Sequence, residues 1–505
     1  MKRILLYLML LSGLCLACKK EATVPEKFSY KAVLPVIWPD YTLLTIPPNI
    51  APMNFRVKTE AEAAIVQVTG GGKEIIVAGD GKNTIQFPAT SWSTLLSASK
   101  GDAITFTIFT KDKDGAWTRW QSYANYVAKE EIDPYLSYRL IEPGYELYRQ
   151  MGIYQRNLGT FEETPIYENN REYDVKDNHC INCHTYQNRK TENMLFHVRQ
   201  THGGTIIVQG DKIKKVNLKT DSTLSAGVYP AWHPTLNKIV FSVNKTGQSF
   251  HLIGQTKVEV LDEASDLIIY DVDKDEVTPI CKTPDLFETF PTWNKAGDTL
   301  FYCAAKPDIT MAGSDSTGWK RVIARYDSVY YDLMAMPYDM QTNTFGAPNV
   351  IFPASQMYKS ITLPRVSPNG RYLLFTMGDF GQFHIWHKSS DLYVIDFYTK
   401  SIRPLSKANS PDVDSYHSWS SNGRWIVFSS RRDDGSYTRP YFTYFNEKGG
   451  DTKAFILPVE NPDEHTLRLK SYNIPELTVE PVKITPGQFK EVIYNSEAKK
   501  VTLKQ

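Results

Sequence analysis

Cysteine is scarce in this 505-residue chain, with six in all. Cys15 and Cys18 close the N-terminal apolar run, and Cys180 and Cys183 share one motif. Cys281 and Cys303 remain as a candidate disulfide, so at most one such bridge is expected. Net charge is also nearly absent, at +1 from 57 Lys and Arg against 56 Asp and Glu. A balance of that kind argues against nucleic acid or an anionic lipid surface as a charge-selected partner. After the N-terminus no apolar run approaches eighteen residues, so no segment of the mature chain is expected to span a bilayer. The G-x-S-x-G elbow, the P-loop, H-E-x-x-H and the dinucleotide fingerprint are all missing. No pair of acidic residues stands out as catalytic either. An electron carrier or binding protein is therefore the stronger expectation, and an enzyme the weaker one.

What is present begins with Lys2 and Arg3, followed by an uncharged apolar run from Ile4 to Leu16. This run is short for a membrane span and fits a signal-peptide core, so residues 1–17 read as an export signal. The run ends in Leu14-Cys15-Leu16-Ala17-Cys18, which resembles a bacterial lipobox except for Cys15 where leucine is usual. Cys18 is then the expected lipidated first residue of the mature protein, with 18–27 as a polar tether. A plain secretory signal is the alternative, and either one exports the chain.

The most specific motif is Cys180-Ile181-Asn182-Cys183-His184. CxxCH supplies two thiols for a covalent c-type haem and a histidine beside them for the iron. A disulfide, a redox dithiol or half of a zinc site are the alternatives, the last kept open by His197 and His202. One covalent haem c is the leading expectation, with His184 as proximal ligand. For the distal position His197 comes first, then His202, then Met194, and an open or water-ligated iron is the remaining choice.

Residues 28–128 carry short strand-like runs broken by glycine-rich turns, as in Ala64-Ile65-Val66-Gln67-Val68 before Gly70-Gly71-Gly72. They predict a β-sandwich that resembles fibronectin-type or immunoglobulin-like modules. A tyrosine-rich stretch, 129–176, reads as a connector. From 177 to 455 a repeat takes over, in which Tyr229-Pro230-Ala231-Trp232, Phe290-Pro291-Thr292-Trp293, Leu363-Pro364-Arg365-Val366 and Tyr416-His417-Ser418-Trp419 each precede an aliphatic-aromatic strand. Second hairpins open at Asp266-Leu267, Asp332-Leu333 and Asp391-Leu392. Serial four-stranded units of this kind predict a β-propeller. The CxxCH segment forms an earlier unit, aligned so that Cys183-His184 falls at Trp232-His233. Five units are countable, and a sixth would have to draw on the connector or on the extended tail, 456–505. The expected fold is thus mainly β, a sandwich followed by a propeller of five to six blades.

The hairpins resemble those of TolB-type propellers. The longer run through Met151-Gly152-Ile153-Tyr154-Gln155-Arg156, Cys180 to His184, Met194 to Thr205 and Phe241 to His251 resembles a family of exported bacterial lipoproteins. These join a TolB-like propeller to one CxxCH and are often labelled cytochrome c biosynthesis proteins. The resemblance implies fold and haem and no particular reaction. It leads to a lipid-anchored monohaem protein of the cell envelope, at the outer rather than the inner membrane. Such a protein would pass electrons or sense redox state with other redox or envelope proteins. A propeller scaffold or interaction protein with structural haem, or none, is the alternative.

Overall fold

Alternation decides the first unit. In the strand Ala63–Gly70 every second side chain, Ala64, Val66 and Val68, is buried, so one face of the sheet makes a core. The structure is a computed structural model that describes residues 22–143, 150–170, 177–251, 253–254, 256–283, 285–307 and 326–504. It divides into two units. The first holds Pro52–Val127, with the chain up to Leu43 and Glu460–Pro462. Its larger sheet is built around Ala103–Lys111, which pairs with Ala63–Gly70, Trp117–Trp120 and Tyr123–Val127. A smaller sheet joins Ile37–Trp38, Phe55–Val57 and Thr84–Ile85. The all-strand expectation needs one correction here, because Ala89–Ala98 is a helix. Its buried Trp92, Leu95 and Leu96 follow helical spacing, and strand readings on either side masked that period.

The second unit, Leu44–Ala51, Ala128–Val459 and the chain from Asp463, is the β-propeller. Among the described residues it has six blades, each built on a four-stranded antiparallel ladder. Blade 2 runs His179–Gln187, Lys190–Gln200, Gly204–Gln209 and Lys212–Asn217. Blades 3 to 6 begin at Val228–Trp232, Phe287–Trp293, Ser360–Val366 and Asp414–Trp419. Blades 3 and 4 are joined by one parallel bridge between Ser265 and Phe287. Blade 1 is made from the two stretches read as connector and tail. Tyr135–Ile141, Gly152–Asn157 and Glu163–Glu168 supply three strands, and Ser471–Thr478 supplies the innermost. The six innermost strands touch their neighbours in a closed ring, so Ser471–Thr478 closes the circle in the same sheet as Tyr135–Ile141. Pairing an early and a late strand of the propeller in one sheet closes the ring that an open fan would leave unjoined.

The tail carries more structure than an extended segment. Thr485 and Gln488 form a capping box for the helix Pro486–Asn495. Phe489 and Ile493 bury one face of this helix against Ile181 and Phe196 of blade 2. Lys215 Nζ binds the carbonyls of Ile493 and Ser496 at its other end. Lys499–Lys500 and Thr502–Leu503 then add parallel strands to the outer edges of blades 2 and 3. Cys281 and Cys303 are both free thiols, which corrects the expected disulfide. Cys281 shares a cluster with Tyr302, while Cys303, the next residue on the strand, faces the opposite cluster with Phe301. No helix among the described residues is long and apolar enough to cross a membrane.

Candidate functional site

Every innermost strand is interrupted at the same place. Cys183, Tyr229, Phe290, Leu363, Tyr416 and Ile474 all have left-handed φ values between 44° and 55°. At each of them the ladder skips a register. One extra residue per strand re-aims a side chain and frees two residues from the ladder. The residue that follows is His184, Pro230, Pro291, Pro364, His417 or Pro475. Proline suits a position whose N–H has no ladder partner. Cys183 and His184 thus align with Tyr229 and Pro230, and not with Trp232 and His233 as expected from sequence. The one-residue bulge shifts the register by an amount that strand pattern alone does not reveal.

His184 is 1% exposed, and burial beside Arg139 pushes its pKa down to about 3. Its ring nitrogens lie near the backbone of Ser137 and Ile474, but neither makes a hydrogen bond of good geometry. His417, its counterpart in blade 6, is a buried neutral imidazole facing the Leu374 carbonyl at 3.3 Å. Met194 is fully buried between Tyr186 and Val208. His202 stacks on Tyr494 at 4.3 Å between ring centres, with Asp177 at 3.9 Å. Cys180 packs at the edge of the cluster holding Ile181 and Phe196. Only Cys183 and His197 line a common cavity.

The motif runs in extended backbone, where residues three apart are separated by about 10 Å rather than by one helical turn. The proximal candidate is buried away from the cavity that the distal candidate lines. Among the described residues no group of three or more His, Cys, Asp or Glu side chains is placed to hold a metal ion. Cys18 lies outside the described residues.

The cavity shared by Cys183 and His197 measures about 520 Å³ and sits at one end of the ring of inner strands. Blade 3 covers it. Its middle hairpin, Lys238–Phe250 and Val258–Asp271, has strands of 13 and 14 residues, against 7 and 6 for the equivalent strands of blade 5. The extension packs Val258 and Val260 against Phe383, Ile385 and Trp386 of the loop that follows Tyr372–Gly378 in blade 5. A buried polar contact fastens the same junction, with His387 Nε2 2.6 Å from Glu259 Oε2. His387 Nδ1 faces the Phe380 carbonyl at 3.1 Å. Both ring nitrogens therefore lie within hydrogen-bonding distance of an oxygen. Next to it, His384 receives the Thr362 hydroxyl at Nδ1 and donates from Nε2 to the same carbonyl.

A second cavity of about 480 Å³ lies beyond the bulges and is lined from all six inner strands. Arg365 and Glu476 follow the bulge prolines of blades 5 and 1, and Arg189 enters from the first turn of blade 2. Burial pushes the Glu476 carboxyl up to about 7 against the pull of Arg365 and Arg189. None of these residues, nor Glu259 and His387, stands out in the sequence, because they are scattered over four repeats. The one available signal was the unusual length of the blade 3 hairpin.

No protein-family profile matches the chain, and no curated protein sequence matches it significantly. Among solved structures, TolB from Acinetobacter baumannii is similar over 77% of this chain and 85% of its own, at 10% identity and TM-score 0.41. A hypothetical selenium-binding protein from Sulfolobus tokodaii is similar over 70% of this chain and 96% of its own, at 9% identity and TM-score 0.39. An oligogalacturonate lyase solved with manganese matches over 65% of this chain and 74% of its own, at 10% identity and TM-score 0.35.

Proposed function

We propose that this protein is an exported, lipid-anchored propeller that works as a binding protein or scaffold in the cell envelope, with the covered cavity of about 520 Å³ as its binding site. The observation that carries this reading is the blade 3 hairpin, which extends past its own blade to cover that cavity and is fastened to blade 5. An extension of that kind adds nothing to the closure of the ring and instead walls one side of a half-open space for a ligand. Export and the anchor rest on the signal-like N-terminus and Cys18, and an outer-membrane position follows the resemblance to exported lipoproteins.

A monohaem carrier is the second reading, favoured by CxxCH itself and by Cys183 and His197 on one cavity. It requires the segment Cys180–His184 to leave the blade 2 ladder. Expression of the full chain with a haem-maturation system separates the two. A folded, colourless protein without haem stain on a denaturing gel supports the binding protein. A stain that disappears in the Cys180→Ala, Cys183→Ala double variant replaces it with the haem reading. Loss of membrane association in Cys18→Ala checks the anchor.

A further inference from the structure

We infer that the covered cavity takes an anionic sugar, a ligand of one or two hydroxylated rings carrying a carboxylate or phosphate. The inference rests on the reading of that cavity as the binding site and names the class of ligand. Charge is the first argument. Arg139, Arg199 and Lys219 line the cavity, and no Asp or Glu does among the described lining residues. The chain as a whole has as many acids as bases, 56 against 57, so this lining is locally selected for positive charge. Guanidinium groups bind carboxylates and phosphates through charge-assisted, often paired hydrogen bonds.

The second argument is a buried polar atom without a partner, on a residue that lines the cavity. His197 is 4% exposed and lines the cavity, and its Nδ1 bonds to Thr205 Oγ1 at 2.9 Å. Its Nε2 is buried with no partner. Burial holds the ring neutral, so Nε2 can meet a hydroxyl or an anionic oxygen without adding a charge. Size and shape are the third argument. A cavity of about 520 Å³ is far larger than a single inorganic anion and lies in the range of small-molecule sites. Phe383 and Tyr416 provide rings for the apolar face of a sugar, and Gln248 hangs from the roof.

Isothermal titration of the full mature chain in detergent tests this with glucuronate, glucose 6-phosphate, glucose, maltose and inorganic phosphate. Glucuronate or glucose 6-phosphate is expected to bind with a dissociation constant of about 1 mM or tighter. Glucose and phosphate should bind at least about tenfold more weakly, since each lacks half of the recognition. The stronger of the two anionic sugars tells carboxylate from phosphate. Replacing the exposed cations, Arg199→Gln with Lys219→Gln, should weaken binding about tenfold or more, and Thr246→Trp should fill the cavity and abolish it. Failure of both anionic sugars to bind, or affinity unchanged in the double variant, overturns the inference. If glucose or maltose binds instead and Thr246→Trp abolishes that binding, the ligand class is wrong while the cavity remains the binding site. If ligands bind and none senses Thr246→Trp, both the class and the site are overturned.

Discussion

His184→Pro is the substitution that tests the register of the central strand most directly. Proline is ordinarily kept out of a central strand, because its missing N–H removes a ladder hydrogen bond. At His184 the ladder passes from Asn182 to Thr185, so no such bond is there to lose. Four of the five equivalent residues, Pro230, Pro291, Pro364 and Pro475, are already proline. Three ring atoms would leave a buried site, which costs about 1–2 kcal/mol of packing. Against that, two buried nitrogens without good partners disappear, each worth about 1–3 kcal/mol when unsatisfied. The unfolded chain also loses freedom, contributing about 0.4–1 kcal/mol. Together these effects leave the variant at least as stable as the parent, so the propeller's thermal midpoint should not fall. Calorimetry on the purified full chain measures it. A drop beyond about 10 °C, or an insoluble protein, would refute the bulge register and return His184 to a role that only histidine can fill.

Three further outcomes follow from the same geometry. Glu259→Ala leaves His387 buried without this partner and should destabilise the roof by about 1–3 kcal/mol, seen as faster hydrogen exchange across the blade 3 hairpin. A roof whose exchange is unchanged would show that the contact does not fasten it. Thiol titration of the unfolded, unreduced protein should find both Cys281 and Cys303 reactive, and a missing pair would restore the disulfide. Glu476 is held up near 7, above its unfolded value, so its ionisation opposes folding at higher pH. Relative to Glu476→Gln, the parent should therefore lose stability between about pH 5 and pH 8, by at most about 3 kcal/mol. A pH-independent difference between the two would contradict that burial.

The class of this fold could be read along the chain because its evidence is local. Each blade repeats an aromatic-proline step, a hairpin turn and an aliphatic strand, and side-chain periodicity reports these wherever they occur. Partnership over long separations could not be read in the same way. Ser471–Thr478 pairs with Tyr135–Ile141 across more than 300 residues, and nothing in either stretch names the other. So the sixth blade was divided between a connector and a tail until the ring was closed. The helix Ala89–Ala98 was lost for a related reason, since strand neighbours on both sides outweighed a single ten-residue period.

Residue chemistry by itself determined a mainly β chain with a repeating propeller unit, and that CxxCH lies in the propeller's early part. Only the tertiary structure decided what that motif does in the fold. The one-residue bulge turns Cys183 to the cavity and seats His184 among prolines, and the antiparallel ladder places His197 opposite Asn182. The cavity is likewise a product of closure, assembling Arg139, His197, Phe383 and Tyr416 from four blades and covering them with the hairpin of a fifth, blade 3. Sequence records what each strand is made of. Where strands meet is set by hydrogen-bond register and by packing between blades, which exist only once the ring has closed.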